Sequence, residues 1–213
     1  MPSSSDSGPS WLTTAAATVE GGEAALALVN GTLRPAIAHH SARVFRFATY
    51  LSDQEQVGGP KDLLFHACLL HDIGASEIGS RPGRYGMQRF EVQGADLAAD
   101  FLGGHGYSAE GQKQVWQAIA LHTSPHIAER LTPLTRLVRL AVRADFGADL
   151  VPSDLRQSTE QDCPRLDIER ELSRVVVEQA LADPARAPHA SWPSALLAAH
   201  QASADPDARL SAF

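Results

Sequence analysis

An all-α bundle is the fold class that this sequence predicts, and three observations lead to it. Apolar residues recur at three- and four-residue spacing along most of the chain, the period of a helix with one buried face. Hydrophobic residues make up 44% of the chain but aromatics only 6%, with alanine and leucine abundant, a composition suited to helices in close contact. No internal repeat and no alternating strand pattern longer than a few residues interrupts this. The 213 residues are enough for one large domain or two small ones. We read a single helical domain over 11–204, with its core at about 34–150 and C-terminal helices over 167–203. It lies between a Ser-rich disordered leader, 1–10, and an uncertain tail, 205–213.

Charge and composition exclude several function classes. A net charge of −7 gives a nucleic-acid partner no electrostatic help. No run approaches the roughly 20 apolar residues that a membrane span needs, and the leader has no apolar segment of the signal-peptide kind. Cys68 and Cys163 form no CxxC unit, so a reduced, cytoplasmic protein is expected, with Cys68 a small core hydrophobe.

Each element has its own justification. Residues 11–30 are helical but broken at Gly21-Gly22, as two short helices or one interrupted helix. Residues 34–52 form a clearer helix, with Pro35 in its first turn. A linker at 52–60 leads to a helix over 61–72, for which Gly74 suits a left-handed stop. Residues 75–88 are a Gly-rich loop long enough to be functional. Helices follow at 89–102, from Ser108 to His122, and from the Thr132 cap with Pro133 to about Phe146, stopped by Gly147. Residues 151–166 read as a surface connection. A helix capped by Asp167 runs to Ala182, and a last helix begins at Ser191-Trp192-Pro193.

Four of these helices break their own pattern in the same way. His40 fills the one gap in the apolar row 37, 40, 44, 47, 51. His71 and Asp72 end the rows of the next helix, after Leu63-Leu64-Phe65-His66-Ala67-Cys68-Leu69-Leu70. His122 extends the row Val115, Ile119, and Asp145 extends the row 134, 138, 141. Burying such groups is costly unless they are paired or bind a cation. If the stripes face one core, His40, His71, Asp72 and Asp145 converge there, as bundle cores do when they build metal sites. Two imidazoles and two carboxylates suit a borderline to hard divalent cation such as Zn, Fe, Mn, Co or Ni. Such an ion lowers the pKa of a bound water and orients it. Asp72 and His122 are read as catalytic beside it, and Glu77, in the loop after the pair, as an acid or base. Arg43, one turn after His40, is read as pairing a buried carboxylate or lining the pocket with Thr123, Phe90 and Trp116. The remaining histidines, 39, 66, 105, 126, 189 and 200, are read as surface, supporting or structural.

At these residues the chain resembles a known family. His40-Ser41-Ala42-Arg43-Val44, Leu69-Leu70-His71-Asp72-Ile73-Gly74 and Arg143-Ala144-Asp145 look like the HD superfamily of metal-dependent hydrolases, all-helical proteins. The resemblance implies His40, His71, Asp72 and Asp145 as metal ligands. Residues 89–95 (RFEVQGA), 115–123 (VWQAIALHT) and Ser191-Trp192 are similar to the cyanamide hydratase-like branch, whose described members add water to a nitrile using zinc. Phe90 stands where two-metal relatives carry a further histidine, so one metal is expected, which also argues against the di-iron oxygenases. The resulting expectation is a small-molecule hydratase or hydrolase acting on a nitrile or C–N group. The alternative is a phosphohydrolase of a nucleotide-like monoester, with Arg43, Arg81, Arg84 and Arg89 as candidate phosphate partners. Arg81 and Arg84 pointing into the cavity would favour phosphate. A small, dry cavity lined by Trp116, Phe90 and Phe65 would favour the nitrile. A third class is a helical scaffold that has lost its chemistry. Self-association is left open.

Overall fold

The structure is a computed structural model and describes residues 8–56, 59–83 and 86–203. The described residues contain ten α-helices: α1 (Ser10–Thr18), α2 (Gly22–Thr32), α3 (Pro35–Gln54), α4 (Lys61–Leu70), α5 (Phe90–Gly104), α6 (Ala109–Leu121), α7 (Pro133–Asp145), α8 (Ser153–Asp162), α9 (Ile168–Ala182) and α10 (Trp192–Ala202). A lone bridge between Gly83 and Gly86 is the only extended pairing among them. No described helix is long and apolar enough to cross a membrane.

The organisation follows from α4. Every residue from Leu63 to Leu70 is buried, so this helix is apolar all round and must sit inside the others. It packs against α2, α3, α5, α6 and α7. Around it, α3 and α6 each pack on α7, while α9 and α10 pair and α9 covers α3. Helix α3 buries the row Ile37, His40, Val44, Phe47 and Leu51 on this core. Local chemistry sets the helix starts. The Ser108 side chain accepts from the Gly111 amide, Thr132 accepts from the Thr135 amide, and Ser191 and Ser194 form a reciprocal capping box at α10.

Several expectations are corrected. The region 151–166 is not only a connection but contains α8, whose polar sequence shows no apolar stripe because a single residue, Thr159, is buried. Asp167 stands at the start of α9 in a left-handed conformation and makes no side-chain cap hydrogen bond. Helix α3 continues to Gln54, into the expected linker, and α1 begins at Ser10, inside the expected leader. The leader's residues 1–7 and the tail 205–213 lie outside the described residues.

Gly74 is required for a different reason from the one expected. Its φ is not positive. It lies in a 3₁₀ turn, Ile73–Ala75, pressed against the start of α5. A Cβ there would stand 1.9 Å from the Phe90 carbonyl oxygen and 2.9 Å from the Gly94 amide nitrogen. Both obstacles are backbone, so no rotamer change relieves them. Gly74→Ala is expected to cost about 2 kcal/mol or more by forcing α5 away from the turn. Thermal unfolding should then show a Tm lower by roughly 4 °C or more, and an unchanged Tm would contradict this packing.

Candidate metal centre

Three histidines on three helices are held by one device. His71 follows the last residue of α4, and its Nδ1 lies 2.8 Å from the Cys68 carbonyl three residues back. His122 follows α6 in the same way, with Nδ1 2.6 Å from the Ile119 carbonyl. Each ring satisfies a carbonyl that a helix end leaves without a partner. In the middle of α3, His40 places Nδ1 2.7 Å from Asp145 Oδ2. Carbonyl and carboxylate oxygens only accept, so all three rings carry their proton on Nδ1. In the neutral ring this leaves the Nε2 lone pair free, the arrangement typical of metal-binding imidazoles.

The free nitrogens meet at one buried carboxylate. Asp72 Oδ2 lies 3.4 Å from His71 Nε2 and 3.7 Å from His40 Nε2, and its Oδ1 lies 3.5 Å from His122 Nε2. The Nε2 atoms of His40 and His71 are 3.1 Å apart. Asp72 is fully buried, and neither of its oxygens has a hydrogen-bond partner among the described residues. Facing lone pairs and an orphaned carboxylate repel each other unless something positive lies between them. A divalent cation fits this donor set of two imidazole nitrogens and a carboxylate, and the ligand atoms of His40, His71 and Asp72 all lie within 4.8 Å of one another.

Burial drives the His71 pKa down to about 3, so this ring is neutral and ready to bind a cation. For Asp72, burial alone would push the carboxyl up. Positive charge beside it, from a protonated ring of His71, His122 or His40 or from a bound cation, pulls it down and favours the ionised group.

Asp145, expected as a ligand, is placed differently. Its Oδ1 accepts from Arg43 Nε at 2.6 Å, and its Oδ2 accepts from Arg43 Nη2 at 2.8 Å and from His40 Nδ1. Both oxygens are committed, on the side of the His40 ring away from Nε2, because a two-pronged guanidinium is the strongest partner for a buried carboxylate. Burial opposes ionisation of Asp145, but the Arg43 and His40 hydrogen bonds keep it charged. Arg43 also donates to the Cys163 and Pro164 carbonyls and is fully buried, so it supports Asp145 and does not face substrate.

A cavity of about 770 Å³ opens over this group, with His40, Asp72 and His122 among its lining residues. Phe90 and Thr123 line it as expected. Trp116 does not. Its indole donates to Asp96 at 2.7 Å, which fixes it between α6 and α5. Phe65 is also absent from the cavity wall and packs edge-on against Phe45. Glu77 is exposed and lines a separate cavity of about 550 Å³ with Arg81, so neither joins the metal group and Arg81 is no phosphate partner there. The reason is the 3₁₀ turn, which carries the chain away from Asp72 within three residues. Arg84 lies outside the described residues.

The site also contains residues that the pattern did not single out: Arg139, Phe146 and Ser194. Arg139 and Arg143 of α7 share this cavity wall with Trp192, Ser194 and Ala195 of α10. Glu91, in the first turn of α5, is fully buried and accepts from Thr123 Oγ1 at 2.6 Å.

Two outcomes follow from this geometry. His71→Ala and Asp72→Ala should each lower the bound metal per chain at least tenfold, read by elemental analysis of the purified protein, and should also lower Tm because binding stabilises the fold. Full metal content in both variants would contradict the assignment. In metal-free protein, the unfolded chain protonates His71 near 6.5, whereas the folded ring resists down to about 3. Stability should therefore be complete above pH 6.5 and fall steadily as the pH drops toward 3. His71→Gln should flatten that slope, and an unchanged slope in the variant would count against the neutral, buried ring.

The comparison with known families agrees with this arrangement. The HD domain matches residues 37–146, which reach from the turn before His40 to the residue after Asp145. No curated protein matches the chain. Families of this kind are metal-dependent hydrolases that bind a divalent ion, and His40, His71 and Asp72 are the group here that fits one. This protein belongs to the HD-domain family.

Proposed function

We propose that this protein is a metal-dependent hydrolase of a small phosphate ester, with the cavity above His40, His71 and Asp72 as its substrate site. The observation that carries this reading is the cationic wall. Arg89, Arg139 and Arg143 line the same cavity as the metal group. Arg139 is paired with Glu129 and donates to the His122 carbonyl, whereas Arg143 is exposed with no ion pair among the described residues, so its guanidinium is the one free for a ligand anion. The hydroxyls of Thr123, Ser124, Ser191 and Ser194 add polar contacts. A cavity of about 770 Å³ suits a ligand of nucleotide size far better than one of a few atoms.

A divalent ion held by His40, His71 and Asp72 would supply Lewis acidity toward water and a phosphoryl oxygen. The chain's own residues account for the rest. Hydrolysis forms a bond from the water oxygen to phosphorus and breaks the ester P–O bond. His122 Nε2 faces the site with its lone pair free and takes the proton that the water loses. The protonated His122 then gives that proton to the leaving alkoxide, so the products are the alcohol and phosphate and the ring is neutral again. The arginines screen the charge of the phosphoryl group throughout.

A second reading, hydration of a nitrile, has its own support. Phe90 packs against His122 at 5.9 Å and against Trp192 at 5.7 Å, making an aromatic wall beside the same group, and these residues lie in the segments similar to the cyanamide hydratase-like branch. One assay panel separates the two. Protein reconstituted with Zn, Mn, Co or Fe should release phosphate from 5′-mononucleotides. Arg143→Ala should lower kcat/KM for them by about tenfold, equivalent to one lost charged hydrogen bond, with metal content unchanged. Turnover of cyanamide with no phosphate released, or no effect of Arg143→Ala, would overturn the phosphate reading.

A further inference from the structure

We infer that Glu91 is a positioning residue that sets the hydrogen-bond polarity of one cavity wall, so that the site selects a phosphate ester that also carries a hydrogen-bond donor. This rests on the phosphate-ester reading above. Glu91 lies in the first turn of α5, is fully buried and does not line the cavity, so it acts through its neighbours. Two of those neighbours do line the cavity. Thr123 Oγ1 donates to Glu91 Oε1 at 2.6 Å. Arg89 Nε lies 3.5 Å from Glu91 Oε2, close enough for charge attraction but too far for a good hydrogen bond.

The chemistry of this triad decides what the wall can recognise. The carboxylate accepts only, so it takes the one proton of the Thr123 hydroxyl. What Thr123 then shows the cavity is lone pairs. Arg89 donates one bond to the Ala120 carbonyl and has further N–H groups left, none of which can accept. One wall therefore presents a cationic donor for the phosphate and, from Thr123, an acceptor for a substrate hydroxyl. A purely structural role explains Glu91 poorly. Its Oε2 and the Arg89 Nε are both buried without a hydrogen-bond partner among the described residues, a costly arrangement that an apolar side chain would avoid.

The test is calorimetric binding to the metal-loaded protein of adenosine 5′-monophosphate and of its 2′,3′-dideoxy analogue, which lacks the sugar hydroxyls, together with kcat/KM for both. Wild-type protein should prefer the hydroxyl-bearing ester by roughly five- to tenfold, the worth of one hydrogen bond. Thr123→Val should abolish the preference and Thr123→Ser should restore it. Glu91→Gln can donate an amide hydrogen to Thr123 and so reverse its polarity, and it should shrink the preference to below about twofold. A role confined to packing would change both ligands alike and leave their ratio intact. Binding without any preference in the wild type, or a full preference in Glu91→Gln or Thr123→Val, overturns the inference. Binding of neither nucleotide overturns the phosphate-ester reading itself, and the inference with it.

Discussion

The structure depends on how a buried carboxylate is neutralised. The Asp72 carboxylate has no hydrogen-bond partner among the described residues, and the Nε2 atoms of His40, His71 and His122 point at it from 3.4 to 3.7 Å. Each ring has its other nitrogen tied down, two to the carbonyls of the helices they terminate and one to Asp145. None of the three can turn to offer Asp72 a proton without giving up that bond. The centre is thus built to be incomplete without a cation, and a divalent ion meets its needs with the fewest changes.

The architecture follows from that requirement. Helix α4 is buried on all sides, which brings His71 and Asp72 to the middle of the bundle, where water cannot screen them. Helix α3 carries His40 in its apolar row and Arg43 one turn on. Arg43 then holds Asp145 of α7, which holds His40. This relay ties α3 to α7 and fixes the orientation of the His40 ring at the same time. The Gly74 contact with α5 brings Phe90, and with it Arg89 and Glu91, up to the cavity. Stability and site geometry therefore share the same contacts.

Much of this was legible in the sequence, for a physical reason. A helical row of apolar residues with one polar member shows which side chain will be buried, and His40, His71, Asp72, His122 and Asp145 are all buried as their rows imply. The row does not show what a buried group will touch. Asp145 was legible as buried but not as the partner of His40 Nδ1 and Arg43, since that depends on how far a guanidinium on another helix can reach. Glu77 does not reach the metal group, because nearness in the chain is not nearness in space once a 3₁₀ turn intervenes. Trp116 lies on the expected helix, but its indole found Asp96 on α5. Helix α8 has almost no buried face, so it left no periodic signal. The cavity itself was illegible, because Arg139 and Arg143 acquire a role only when α10 packs opposite them.

The tautomers of the three histidines test the central claim most directly. Nitrogen NMR of metal-free protein near pH 7.5 should show His40, His71 and His122 each protonated on Nδ1, with Nε2 bare. Adding one equivalent of zinc should then shift the Nε2 resonances of His40 and His71. Rings protonated on Nε2, or Nε2 signals indifferent to the metal, would contradict the account.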